Sequence, residues 1–230
     1  MTHNPKANPP ADGGWTGDDL EMVGNLIVPK ASTKGIQVEP AAPTWTWKDL
    51  LGIPEPSTGA GKPTLEVLRG GMFEAFAYTT GDNVNFLYHL PHDYKMGTDL
   101  YLHIHWPHNG TSISGTLAVD WGITYAKGHN QAIFPAEVTL AQSISTPDIA
   151  TIPQWSHRLD EIQLSDPTPS GGQIDTDDME PDTLLCVNME INTLPTIAGG
   201  ATSKVFIFHA DLHYQSTCVG TKQNAPDFYT

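Results

Sequence analysis

The 230-residue chain has 26 acidic and 11 basic residues, a formal charge of −15 at neutral pH, and 39% hydrophobic residues. Such a charge disfavours nucleic acid and anionic membranes as partners. Cys186 and Cys218 are the only cysteines. Two such residues with no CxxC spacing make no disulfide scaffold.

Residues 1–33 are rich in Pro, Gly, Asp and Asn, which argues against regular structure and predicts an extended N-terminal arm. Its sparse apolar residues, chiefly Trp15, Leu20 and Ile27, are candidate anchors onto a neighbouring molecule. There is no basic segment followed by an apolar run, and no apolar stretch of the roughly 20 residues that span a membrane. The expectation is therefore a soluble protein made in a cytoplasm, with free thiols.

Residues 34–64 read as a connecting segment. Lys34–Val38 is a candidate short strand. Trp45-Thr-Trp-Lys-Asp-Leu-Leu51 reads as a short helix or turn that pins the chain through Trp45 and Trp47. Gly59-Ala-Gly-Lys62 resembles the end of a phosphate-binding loop, but Pro56 and Pro63 stand where that loop needs glycine and a hydroxyl. No Gly-x-Ser-x-Gly elbow and no HExxH occurs.

From residue 65 to 230 the pattern becomes one of repeated short strands. They are predicted over 72–79, 84–90, 99–106, 115–125, 136–144, 155–164, 183–191 and 204–214. Turn-forming segments separate them, and Asn109-Gly110 is a hairpin signal because both residue types accept positive φ. Asp175–Asp182 reads as an acidic loop. This spacing with almost no helical period predicts an all-β fold, a jelly-roll-like antiparallel β-sandwich.

Two strands carry chemistry. In Asp99–Trp106, period-two alternation puts Leu100, Leu102, Ile104 and Trp106 on one face and Tyr101, His103 and His105 on the other. In Val205–Tyr214, the same alternation puts Phe206, Phe208, Ala210, Leu212 and Tyr214 on one face. The opposite face then carries Ile207, His209, Asp211 and His213. If the two strands are neighbours, His103, His105, His209, Asp211 and His213 share one sheet surface. Imidazoles and a carboxylate form a competent set for zinc or non-haem iron. The simpler reading is a polar subunit contact, with no metal and no cofactor. His89, His92, His108 and His129 flank turns and read as loop-fixing residues. Trp106, Trp121 and Trp155 would suit carbohydrate binding if exposed, but core is their default.

Gly97, His103 and His105 also match the first half of the cupin pattern. The glutamate expected next is absent from Trp106-Pro-His-Asn-Gly110, and the second cupin motif is not recognisable. A cupin-like metalloenzyme using His103, His105 and His209 is therefore the alternative from another functional class.

A broader resemblance runs from Trp45 to Ala136. It is carried by Trp47-Lys-Asp-Leu-Leu-Gly52, Arg69-Gly-Gly71, His89-Leu-Pro-His-Asp-Tyr94, Gly97–Trp106 and Thr124-Tyr-Ala-Lys-Gly-His-Asn130. This block resembles a group of virion structural proteins of tailed bacteriophages. The resemblance implies a non-enzymatic β-sandwich assembled on the phage particle in the host cytoplasm, as a capsid decoration or cement protein. A tail, collar or fibre-attachment protein is the alternative within that class. The expected partners are the chain itself, as a homo-oligomer and preferably a trimer, and the major capsid protein or other virion proteins. It carries over no catalytic residues.

Overall fold

Period-two alternation governs the chain from residue 45 onward, and the fold follows it. The computed structural model describes residues 45–128, 132–145, 148–199 and 204–217. The strands in chain order are β1 (Thr46–Gly52), β2 (Glu55–Pro56), β3 (Thr64–Val67), β4 (Glu74–Tyr78), β5 (Asn83–His89), β6 (Tyr101–Trp106), β7 (Ser112–Ser114) and β8 (Thr116–Ala126). They continue with β9 (Val138–Ser145), β10 (Arg158–Gln163), β11 (Ser165–Asp166), β12 (Ile174–Asp175), β13 (Leu184–Thr193), β14 (Thr196–Ala198), β15 (Val205–Phe206) and β16 (His209–Ser216). Helical structure among the described residues is confined to single 3-10 turns.

Two antiparallel sheets form the sandwich. One has the order β1-β16-β6-β10 and the other β2-β5-β13-β8-β9. A three-stranded sheet, β15-β4-β3, and two small pairs, β14-β7 and β11-β12, complete the fold. The core lies between the two large sheets. Leu102, Ile104 and Trp106 of β6 and Ala210, Leu212 and Tyr214 of β16 meet Phe86 and Tyr88 of β5, Trp121 and Ile123 of β8, and Val187 of β13. Each fully buried side chain of this size contributes about 1.5–3 kcal/mol relative to exposure. The Tyr88 hydroxyl donates to the Ala210 carbonyl at 3.0 Å, so a polar bond also crosses the core.

Several expectations change here. Trp45–Leu51 is not a helix or turn: β1 occupies 46–52 and pairs along its whole length with β16. The open edge of β16 satisfies its backbone groups, and tertiary pairing overrides the local spacing of the apolar residues. The segment 34–64 is therefore more than a connector, because β1 edges one large sheet and β2 edges the other. Asn109-Gly110 makes no hairpin, since β7 pairs with β14 rather than with β6. Asn109 instead accepts a bond from the Lys204 backbone N–H on its side-chain oxygen at 2.7 Å. Gly110 is needed for close approach: a Cβ there would lie 2.2 Å from Ile197 Cγ2 and 2.6 Å from the Ala198 carbonyl.

The predicted strand 204–214 is broken in two. β15 pairs with β4, and β16 pairs with β6. At the handover the Ile207 N–H bonds to the Phe76 carbonyl and the Phe208 N–H to the His105 carbonyl. The alternation slips by one residue there. Ile207 joins the main core, whereas Phe206 enters a smaller cluster with Ala75 and Ala77, against which Trp155 and Phe208 pack. A one-residue slip reverses every face beyond it. Phe206 and Phe208 are thus separated from Ala210, Leu212 and Tyr214, and Ile207 from His209. Lys34–Val38, Trp15, Leu20, Ile27 and His129 lie outside the described residues.

Candidate functional site

The outer face of the four-stranded sheet collects the histidines. β16 and β6 are antiparallel neighbours, with His209 opposite His105, Asp211 opposite His103 and His213 opposite Tyr101. The five residues expected to share a surface, His103, His105, His209, Asp211 and His213, do share it. The flanking strands extend the rows. β1 places Asp49 opposite His213 and Leu51 opposite Asp211, and β10 places Glu161 opposite His103. All these side chains point away from the core, because their strand neighbours at odd spacing fill it.

Within this face the groups divide into two sets. In the first, His105 Nε2 lies 2.9 Å from Asp211 Oδ2, and His209 Nε2 lies 3.6 Å from Asp211 Oδ1. The His105 ring stacks against His209 at 4.3 Å between centroids, and its Nδ1 lies 2.8 Å from His157 Nε2. In the second, His103 Nε2 meets Glu161 Oε2 at 2.6 Å, His213 Nε2 contacts Asp49 Oδ1, and the His103 and His213 rings meet edge to face at 4.1 Å. Each set brings one ligating atom from each of three residues within 4.8 Å of one another: His105, His209 and Asp211, and Asp49, His103 and His213. The trio His103, His105 and His209 of the cupin-like reading is therefore divided between the two.

Burial shapes the electrostatics. Removal from water pushes the His105 pKa below its ordinary value; Asp211 opposes this, and His209 and His157 add to it. Desolvation disfavours the charged imidazolium, and neighbouring imidazoles disfavour a further positive charge. Asp211 and His103 are buried despite lying on the outer face, covered by the side chains around them.

Beside the first set lies an open apolar groove of about 570 Å³, lined by Ile53, Leu65, Phe73, Phe76 and Phe208, with His157 and His209 at its margin. Ile53 is 71% exposed, Phe73 65% and Leu65 56%. At the far end of the histidine face, Trp47 packs against Tyr101 and His213 at 5.6 and 5.7 Å. Trp45 lies under the Lys95 ammonium, which is 5.1 Å from its ring.

The turn-flanking histidines behave differently. His108 is fully buried, with Nε2 2.9 Å from the Ile152 carbonyl, and His89 pairs with Asp182 at 2.5 Å. Both hold loops. Trp106 and Trp121 are fully buried core residues, which removes them as carbohydrate platforms, and half-buried Trp155 packs on Phe206.

Sequence reasoning missed Asp49, His157 and Glu161. His157 and Glu161 fall on one face of the strand predicted over 155–164, so alternation pointed to both. Asp49 is hidden because its segment reads, in isolation, as a short helix or turn. No known family model matches the chain, and no curated protein matches it.

Proposed function

We propose that the chain is a non-enzymatic structural subunit of a tailed-phage virion, a decoration or cement protein that bridges capsid subunits. The observation that carries this reading is the character of its outer surface. The ionisable groups of the histidine face are largely spent on one another, His103 on Glu161, His213 on Asp49 and His105 on His157. A face of mutually paired groups is rigid, and it suits repeated placement against a copy of itself about a symmetry axis. In this reading the face built from His103, His105, His209, Asp211 and His213 is the contact of a closed homo-oligomer, a trimer, with His209 and His213 at its surface and His103 and Asp211 buried beneath them.

The apolar groove supports the same reading. Large apolar side chains exposed together are a mark of surfaces that become covered in an assembly. The major capsid protein is the partner assigned to it, and residues 1–33 are the arm that extends the attachment.

The test is attachment to purified particles. Wild-type protein is expected at hundreds of copies per virion, as the symmetry of a shell requires. Phe73→Asp and deletion of residues 1–33 are each expected to leave the circular dichroism of the sandwich intact and to abolish attachment. Tens of copies or fewer would place the protein in the tail, collar or fibre attachment instead. Particles lacking the chain altogether would overturn the proposal.

A further inference from the structure

We propose that His105, His209 and Asp211 form a binding site for a divalent zinc-class cation, and that His157 positions His105 for it. The inference does not depend on the virion reading.

The donors come from two paired strands. His105 on β6 stands opposite His209 on β16, and Asp211 follows two residues later on the same face. The backbone ladder therefore fixes the Cα positions and the common face of the three residues before any ion binds. Zinc bonds of about 2.0–2.1 Å at tetrahedral angles place neighbouring donors about 3.3 Å apart. The separations here are 2.9 Å from His105 Nε2 to Asp211 Oδ2 and 3.6 Å from His209 Nε2 to Asp211 Oδ1. The two contacts run to different oxygens of the one carboxylate, and one donor atom from each of the three residues lies within 4.8 Å of the others, so side-chain rotations that draw the three together bring them to that spacing.

The state of His105 Nε2 is the second observation. This nitrogen is buried and has no directed hydrogen bond, although a carboxylate oxygen lies 2.9 Å away. The oxygen sits off the ring's N–H axis, so the contact is close and poorly aligned as a hydrogen bond. A buried polar atom without a partner is costly. A cation between Asp211, His209 and this nitrogen satisfies all three.

The opposite side of the ring supplies the matching tautomer. His105 Nδ1 lies 2.8 Å from His157 Nε2. With its proton on Nδ1, His105 donates to His157 and leaves Nε2 with a lone pair available to a cation. A ligating histidine that donates its other N–H to a neighbouring acceptor is the usual outer-shell arrangement of metal sites. His157 is therefore a positioning residue and not a ligand.

The donor set selects the metal class. Two imidazoles and one carboxylate suit zinc and its transition-metal neighbours rather than calcium or magnesium, which take oxygen ligands. Three protein donors leave the fourth position of a tetrahedral ion to water or to a group from a neighbouring subunit. The other trio, Asp49, His103 and His213, is a weaker candidate. His103 Nε2 is held by Glu161 at 2.6 Å and His213 Nε2 by Asp49, so both are spent on carboxylates.

The experiment uses the untagged full-length chain, stripped with chelator and titrated with zinc chloride by calorimetry, with elemental analysis of the dialysed product. One equivalent is expected in the wild type. His209→Gln and Asp211→Asn should each weaken zinc binding at least about tenfold, and His157→Phe by about 10–100-fold. Cobalt(II) should give the intense visible bands of a four-coordinate site in the wild type, and those bands should be lost in His209→Gln. His89→Gln, at a histidine that holds a loop through Asp182, is the control and should bind as the wild type does, whereas His213→Gln tests the second trio and should keep the one equivalent. His209 is about one-third exposed, so its variant tests the site even where Asp211→Asn fails to fold. Absence of binding, or binding that survives His209→Gln and is lost in His213→Gln, would overturn the proposal.

Discussion

Gln142→Leu is the substitution that most directly tests how the two sheets are joined at the β9–β10 edge. Trp121 of β8 is fully buried, and its Nε1 donates to Gln142 Oε1 at 3.1 Å. Gln142 of β9 donates from Nε2 to the Glu161 carbonyl of β10, also at 3.1 Å. Two bonds in series thus run from the core of one sheet to the edge strand of the other, and that edge strand carries the Glu161 carboxylate that holds His103. Leucine preserves the volume and removes both bonds. The stranded Trp121 N–H has no route to water, and a buried unsatisfied donor costs about 1–3 kcal/mol. The Glu161 carbonyl lies on an edge strand and is hydrated more easily, adding up to about 1 kcal/mol. The expected loss is therefore about 1–4 kcal/mol, or a fall in melting temperature of roughly 2–16 °C for a domain of this size. Urea unfolding followed by far-ultraviolet circular dichroism measures it without relying on tryptophan emission. In a Trp121→Phe background the same change should cost about 1–3 kcal/mol less, because the donor it strands is already gone. A cost below about 0.5 kcal/mol in the wild-type background, or equal costs in the two backgrounds, would refute the argument that this relay joins the sheets.

Gly110→Ala should destabilise by about 1–3 kcal/mol, because the new Cβ meets the Ala198 carbonyl and Ile197 where β14 crosses. Gly59→Ala, where a Cβ meets nothing within 4 Å, should melt within about a degree of the wild type; equal effects at the two sites would count against the steric account. Asp93 gives a pH prediction. Burial pushes its carboxyl pKa up, but the Lys48 ammonium and the Ser216 and Tyr214 hydroxyls outweigh that and hold it below its ordinary value. A folded-state pKa below the unfolded one contributes stability that is fully present above the unfolded value of about 3.9 and is lost as pH falls from there through the lower folded value. The difference in urea midpoint between wild type and Asp93→Asn should therefore be largest near pH 7 and shrink below about pH 4; a difference independent of pH would remove Asp93 as the source.

The histidine face shows where local pattern suffices and where it does not. Alternation in Asp99–Trp106 sends Leu102, Ile104 and Trp106 to the core and His103 and His105 outward, and the sheet obeys because a strand has only two faces. The same argument failed beyond Lys204. The chain leaves β4 for β6 at Ile207 and Phe208, and a change of pairing partner has no signature in alternation.

The residue types and their period determined that this is an all-β chain with a polar, histidine-bearing strand face, because burial of one face is a local property. Tertiary structure alone decided which histidines meet. Strand order set β16 beside β6, and register set His209 opposite His105 and Asp49 opposite His213. Those pairings depend on backbone hydrogen bonds between segments more than a hundred residues apart, and no local pattern encodes which edge a strand will find. That is why Trp45–Leu51 reads as a short helix or turn in isolation, and why Asp49 joins the histidine face only once β16 offers its edge.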